Sequence, residues 1–372
     1  MYKKIMVNLE NLALFETHNL PIRHQGNVHN GKVRSVYWLS PVDSSRIIRK
    51  RGYPVKDDTK LGVMVISDRI SAFDVIWQGE EGLMGVPGKG ASLNAITQYW
   101  FNKFDSEGLA GNHIIDVPHP LVWIVQKADP ILVEGVARQY ITGSMWRDYS
   151  EKGIREFCEN ILPEGLKKDQ RLPEFLITPT TKGILRGIPG VPEEDDTNIT
   201  RKQILQNYFK FGFWVPSHVN VYEQLLRTGF DLISRHLEAI GQIFVDTKFE
   251  FGYVRNDNGS IKMIYIDEVG TPDSSRIYHK ESYEKGRIVE SSKEPYRQFL
   301  LASTDRNVLL NKKRMEERRE LARTYRVPVS VFMDVSQTYR GIAEKITGVP
   351  VPEINNARAE ILEALVPYGI IA

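Results

Sequence analysis

Val245-Asp246-Thr247-Lys248-Phe249-Glu250-Phe251-Gly252 decides how this chain is read. Side chains alternate along a strand, so Asp246, Lys248 and Glu250 fall on one face and Thr247, Phe249 and Phe251 on the other. An acid, a base and an acid in a row are costly in a core. They suit a site that holds a hard divalent cation and a phosphate together. An exposed strand with a cross-strand salt bridge explains the alternation equally well, and both readings stay open at this point. Across the turn Asn256-Asp257-Asn258-Gly259 a second strand ends in Ile266-Asp267-Glu268, completing a β-hairpin and adding carboxylates near Glu250. Beyond lies the turn Pro272-Asp273-Ser274-Ser275-Arg276, with two hydroxyls and a guanidinium suited to a phosphate.

Upstream of the hairpin, Tyr222, Leu226, Phe230, Ile233, Leu237 and Ile240 recur at helical spacing, with Gly241 as the stop. The first third reads mainly as strands: 33–39, 61–67 and 121–126, with a helix over 91–104 carrying Leu93, Ile96, Trp100 and Phe104. Residues 44–58, rich in Arg, Lys, Gly and Pro, read as a long exposed hairpin loop. Ala128-Asp129-Pro130 is the expected hinge between residues 1–128 and 129–372. After Tyr296 the chain reads as largely helical. Its run KKRMEERRELAR reads as a solvated helix face, with Lys312–Glu316 and Lys313–Glu317 four apart.

Composition narrows the function classes. The 372 residues carry 49 basic and 47 acidic side chains, net +2, which leaves no whole-chain footprint for nucleic acid or an anionic membrane. No run approaches the roughly 18 apolar residues of a membrane span. The amphipathic, acidic start MYKKIMVNLENLALFE is not a secretory signal. One cysteine, Cys158, excludes an intrachain disulfide and a thiolate metal cage, and reads as a buried, inert thiol. A cytoplasmic protein is expected. No histidine pair has ligand spacing, and no Gly-x-Ser-x-Gly elbow appears.

Weaker signals surround these. Gly31-Lys32-Val33-Arg34 is a glycine turn feeding a strand with two cations, without the spacing of a Walker loop. Ser67-Asp68-Arg69-Ile70-Ser71 follows an apolar strand, where sites collect. Glu134 to Arg138 and Thr142-Gly143-Ser144 set an acid, a base and an anion-binding turn close together, with Ser144 also placed to cap a helix.

GKVRSVY, SDRISAFD, GKGASLN, VARQYITGS, LPEFLITPTTK, VDTKFEFG and DEVGTPDSSR together resemble the SAICAR synthetase family in order and spacing, over roughly residues 28–280. The resemblance implies an α+β, two-lobed, ATP-grasp- or kinase-like fold with nucleotide between the lobes. It implies ATP- and Mg²⁺-dependent condensation of a carboxyaminoimidazole ribonucleotide (CAIR) with L-aspartate through an acyl phosphate. In that frame Lys32 and Arg34 would contact nucleotide phosphates, and Ile124, Val125, Gln126 and Lys127 would lie along adenine. Glu250 and Asp267 would bind Mg²⁺, with Asp246 and Lys248 at the reacting phosphoryl and carboxylate. Arg138, Thr142, Gly143, Ser144, Ser275 and Arg276 would hold the ribonucleotide, and Asp68, Arg69, Ser71 and Lys89 would contact imidazole and aspartate.

Three departures stand out. Leu132 replaces a proline that usually precedes the acid, and Asp195-Asp196-Thr197-Asn198 replaces a His-Asp-Glu-Asn stretch. The 44–58 segment and the tail beyond about 285 exceed the compact form, as edge elaborations or an oligomer contact. Two other readings share the metal hairpin: a different ATP-dependent kinase or ligase, and a nucleotide-binding regulator without catalysis.

Overall fold

The computed structural model describes residues 12–255 and 259–372. Most of the expected Asn256–Gly259 turn, and most of the amphipathic start, lie outside them. The described chain forms two units: residues up to 96 with 114–127 and 292–372, and residues 97–113 with 128–291.

In the first unit, β-branched and aromatic runs form an antiparallel five-stranded sheet. Its order is His29–Asn30, Arg34–Trp38, Leu61–Ile66, Val122–Gln126, Ile114–His119. The expected exposed loop at 44–58 is instead opened by a helix, Pro41–Arg51, with Ser44, Ile47 and Ile48 buried. Its stop and start signals are local. The Ser40 hydroxyl accepts from the Asp43 amide, Pro41 opens the first turn, and Gly52 ends the helix at φ 66°. Arg49, Lys50 and Arg51 favour the negative end of the helix dipole. These caps outweigh the loop-forming residue types around them.

Residues 292–372 cluster with this first unit, whereas the sequence reading groups them with 129–291. Their apolar faces explain it. Arg326–Val327 pairs in parallel with Val75–Gly79, and Tyr296, Leu300, Phe332, Val335 and Tyr339 share a core with Ile70, Trp77 and Leu93. The tail is helical as expected, over Glu294–Ser303, Arg306–Leu310, Met315–Thr324, Val329–Thr347 and Ala357–Leu365.

The charged run also differs from expectation. Lys312 and Lys313 precede the helix, and ion pairs along the run include Arg314–Glu317, Arg319–Glu316 and Arg323–Glu320. Arg318 is buried. It donates to the carbonyls of Phe73 and Val308 and pairs with Asp74 at 3.4 Å. Arg318→Met is therefore expected to destabilise the protein by about 1.5–3 kcal/mol, the range for charged hydrogen bonds. The exposed neighbour substitution Arg319→Met should stay within about 0.5 kcal/mol. Urea unfolding of the two variants checks the contrast, and equal midpoints would contradict it.

The second unit is built on the long strand Gln242–Arg255. It pairs antiparallel with Val133–Tyr140 on one side and with Ser275–His279 and then Ile261–Ile266 on the other. Arg171–Ile177 and Thr180–Thr181 extend the sheet beyond Val133–Tyr140, and Asp129–Pro130 pairs with Tyr253 and Gly252. The expected helix runs His218–Ala239 and buries Tyr222, Leu226, Phe230, Ile233 and Leu237. A bulge between Phe244 and Asp246 resets the strand's alternation. Phe244 packs on Phe230 at 4.7 Å between ring centroids and Phe251 on Tyr222 at 5.3 Å. Asp246, Lys248 and Glu250 thereby turn away from the helix.

Among the described residues, no helix is long and apolar enough to cross a membrane. The Cys158 thiol is pushed up to about 11 by burial, consistent with an unreactive sulfur.

Candidate active site

The polar face of the long strand meets that of Val133–Tyr140, because Asp246 opposes Arg138 and Lys248 opposes Val136 in register. Two linked groups result.

In the first, Arg138 and Arg276 both donate to Asp246 Oδ2, at 3.3 and 2.6 Å, and the Arg276 amide donates to Oδ1 at 3.2 Å. Arg138 also donates to the Thr178 hydroxyl at 2.9 Å. Two guanidiniums on one carboxylate leave a net positive charge in a half-dry place, which suits an anion. Burial lowers the Arg138 pKa, and Asp246 opposes that effect. Gly143 borders this group at φ 59°, and a Cβ there would meet Arg276 Nη2 at 2.5 Å, so a glycine is needed. The helix Gly143–Glu151 has Thr142 at its N-cap position, two residues before Ser144, with no capping hydrogen bond from the Thr142 side chain. Asp246 thus sits with the arginines, apart from the Lys248 cluster. Ser275 does not join them: its hydroxyl is hydrogen-bonded to Thr247 at 2.8 Å on the opposite face.

In the second group, Lys248 Nζ donates to Glu134 Oε1 at 2.5 Å and lies 3.9 Å from Glu250. Glu134 Oε2 accepts from the Thr180 hydroxyl at 3.1 Å, and Lys182 is ion-paired with Glu250. Burial pushes the Glu134 carboxyl up to about 7; Lys248 opposes the shift and a hydrogen bond with the Asp196 carboxyl adds to it. Burial works against the ammonium of Lys248, yet Glu134 and Glu250 raise its pKa overall. Lys182 is likewise raised against its burial, by Glu250 and Asp267.

Glu134, Lys182 and Asp196 carry no assigned role in the sequence reading. The signal was present in Thr178-Pro179-Thr180-Thr181-Lys182. Thr178, Thr180 and Lys182 alternate, and they meet Arg138, Glu134 and Glu250 in turn.

Glu250 and Asp267 form a hard oxygen donor pair acting on one ammonium, Lys182. No group of three potential ligands gathers among the described residues. That donor set fits Mg²⁺, which takes one or two carboxylates and completes its shell with water and phosphate oxygens.

The first unit holds the remaining candidates. Lys32 is exposed and paired with Asp74 at 2.7 Å, and Arg34 is buried opposite Ile66. Ile124 and Val125 are buried in their strand, Gln126 is half-buried, and the Lys127 amide donates to the Lys60 carbonyl. Asp68 accepts from the amides of Leu14 and Gly90, both at 2.8 Å. Burial lifts its carboxyl to about 6, while those amides, Lys89 and Arg340 pull it down. Arg69 donates to Ser67, Thr17 and the Gly31 carbonyl. Ser71 lies opposite Ile76 in a short strand, and Lys89 is fully buried at the start of its helix.

A family model described as SAICAR synthetase matches residues 27–309. A phosphoribosylaminoimidazole-succinocarboxamide synthase of Vibrio campbellii is 59% identical over 367 residues, covering 98% of this chain and 100% of that protein. The protein of the same name from Shewanella frigidimarina is 58% identical over 360 residues, 96% of this chain and 98% of its own. Among solved structures, the SAICAR synthase of Saccharomyces cerevisiae complexed with SAICAR superposes with a TM-score of 0.62 at 25% identity, covering 89% of this chain and 97% of that one.

Proposed function

The chain belongs to the SAICAR synthetase family, and on that premise we propose how its residues divide the labour of the reaction. It is an ADP-forming amide ligase of purine biosynthesis, joining CAIR to L-aspartate at the expense of ATP. A carboxylate is a poor electrophile, so the substrate carboxylate is first phosphorylated to an acyl phosphate. The aspartate amine then displaces phosphate. Such chemistry asks the protein mainly for positioning and charge neutralisation.

The observation that carries this reading is the single polar face of the long strand. At one end Arg138 and Arg276 form the anion grip for the ribonucleotide phosphate. Further along, Lys248 lies where charge develops on the moving phosphoryl group. Glu250 and Asp267 would hold Mg²⁺, which supplies neutralisation of the nucleotide phosphates. Lys32 and Arg34 are proposed to contact nucleotide phosphates, and residues 124–127 to border the base.

The test is ADP release measured with ATP, Mg²⁺ and CAIR, with and without L-aspartate. Sustained turnover is expected only when all are present. ADP release that does not respond to aspartate would turn the reading towards a kinase. Nucleotide binding without turnover would turn it towards a regulator.

A further inference from the structure

We propose that the Glu134–Asp196 carboxyl pair is the base that takes the proton from the incoming amine. This rests on the acyl-phosphate reading above and adds a residue pair to it.

Amide formation has a proton to lose. The amine arrives largely as an ammonium, which has no lone pair to attack with. That first proton must go to a base; as the nitrogen–carbon bond then forms at the acyl carbon, a second N–H bond breaks and its proton goes to the leaving phosphate. The acyl carbon–oxygen bond breaks, and phosphate leaves with the electron pair.

Glu134 is built for that role by its position. It is 7% exposed, on the strand beside Lys248, and its Oε1 receives the Lys248 ammonium at 2.5 Å. Its carboxyl also shares a hydrogen bond with the carboxyl of Asp196. The Asp196 carboxyl in such contact favours proton uptake by Glu134, because protonation removes the repulsion of two like charges. Asp196 lies on an exposed loop, held by its amide on the Thr181 carbonyl at 3.2 Å. The pair therefore runs from a buried end beside Lys248 to an end in water, a route by which the proton can leave.

The charged groups facing Glu134 are Lys248 from the long strand and Asp196 from the loop, while Tyr222 of the helix lies against the neighbouring Gly135. Glu250 and Lys182 stand behind Lys248. Burial and Asp196 raise the Glu134 pKa and Lys248 lowers it, to about 7. The base acts deprotonated, so the rate with aspartate should rise with pH through that value. Asp196→Asn removes a raising influence, and the limb should move to lower pH.

Hydroxylamine separates this role from a structural one, because it is already neutral near pH 7 and traps acyl phosphates as hydroxamates. Glu134→Gln should lower aspartate ligation by about 10²–10⁴-fold, the usual contribution of a general base. Its loss in hydroxamate formation should be at least about tenfold smaller. Equal losses with both nucleophiles, or no loss with aspartate, would overturn the proposal. An unmoved pH limb in Asp196→Asn, a variant on an exposed loop, would overturn it as well. If the wild-type enzyme forms no hydroxamate, the acyl-phosphate reading fails first and takes this proposal with it.

Discussion

Replacing Lys248 by methionine is expected to lower kcat by about 10²–10³-fold, the loss typical of removing one preorganised electrostatic stabiliser. Lys248 offers a positive charge between two buried carboxylates, Glu134 at 2.5 Å and Glu250 at 3.9 Å. A phosphoryl group in transit spreads negative charge over its oxygens, and a fixed ammonium neutralises it without waiting for solvent to reorganise. Methionine preserves most of the side chain's length and apolar stem. The loss of charge has a second consequence. Lys248 holds the Glu134 carboxyl down, so in its absence Glu134 should rise above about 7 and stand protonated at neutral pH. That protonation limits the damage to the fold, since a neutral acid is cheaper to bury than an unpaired carboxylate. It should also shift the acidic limb of the pH profile upwards. Steady-state rates at saturating substrates, with a thermal midpoint as the folding control, decide the matter. A kcat near wild type would remove Lys248 from the reaction.

The residues legible in the sequence were those whose signal is local. Alternation in 245–252 placed Asp246, Lys248 and Glu250 on one face, and helical spacing over 219–240 found the helix that covers the other. What stayed hidden depends on strand partners far away in the chain. Glu134 meets Lys248 114 residues on, and Lys182 meets Glu250 68 residues on. Nothing within either segment declares the pairing. Ser275 shows the opposite failure. Its neighbour Arg276 invites a joint role, yet period-two alternation already implied that the two side chains leave the strand on opposite faces. The helix Pro41–Arg51 is legible too, because Ser40, Pro41 and Gly52 mark its ends more specifically than the abundance of Arg and Lys marks a loop. Cooperation of residues 292–372 with the first unit was not legible, because amphipathic helices state that they must pack and not against what.

Asp267→Asn should weaken magnesium binding and slow turnover by about 10²–10³-fold at limiting Mg²⁺, while leaving the fold in place. The backbone makes this substitution informative. Asp267 sits at φ 62°, a left-handed conformation that asparagine and aspartate tolerate better than other residues with a Cβ. The amide keeps one carbonyl oxygen as a potential ligand and loses the charge. Asp267→Ala loses the ligand altogether and adds strain of roughly 1–2 kcal/mol, so lower stability would confuse its interpretation. With Asp267 neutral, Lys182 keeps its ion pair with Glu250, so the local charge balance still holds the strand end together. Asp273→Asn, in the turn closed by the Ser274 amide on the Thr271 carbonyl, is the control. It should leave the magnesium dependence nearly unchanged. The measurement is kcat against free Mg²⁺ for both variants, alongside direct titration with Mn²⁺ followed by electron spin resonance. A wild-type Mg²⁺ dependence and Mn²⁺ affinity in Asp267→Asn would show that these carboxylates are not metal ligands. Their task would then be to hold the Lys182 ammonium, and the cation's ligands would have to be sought elsewhere.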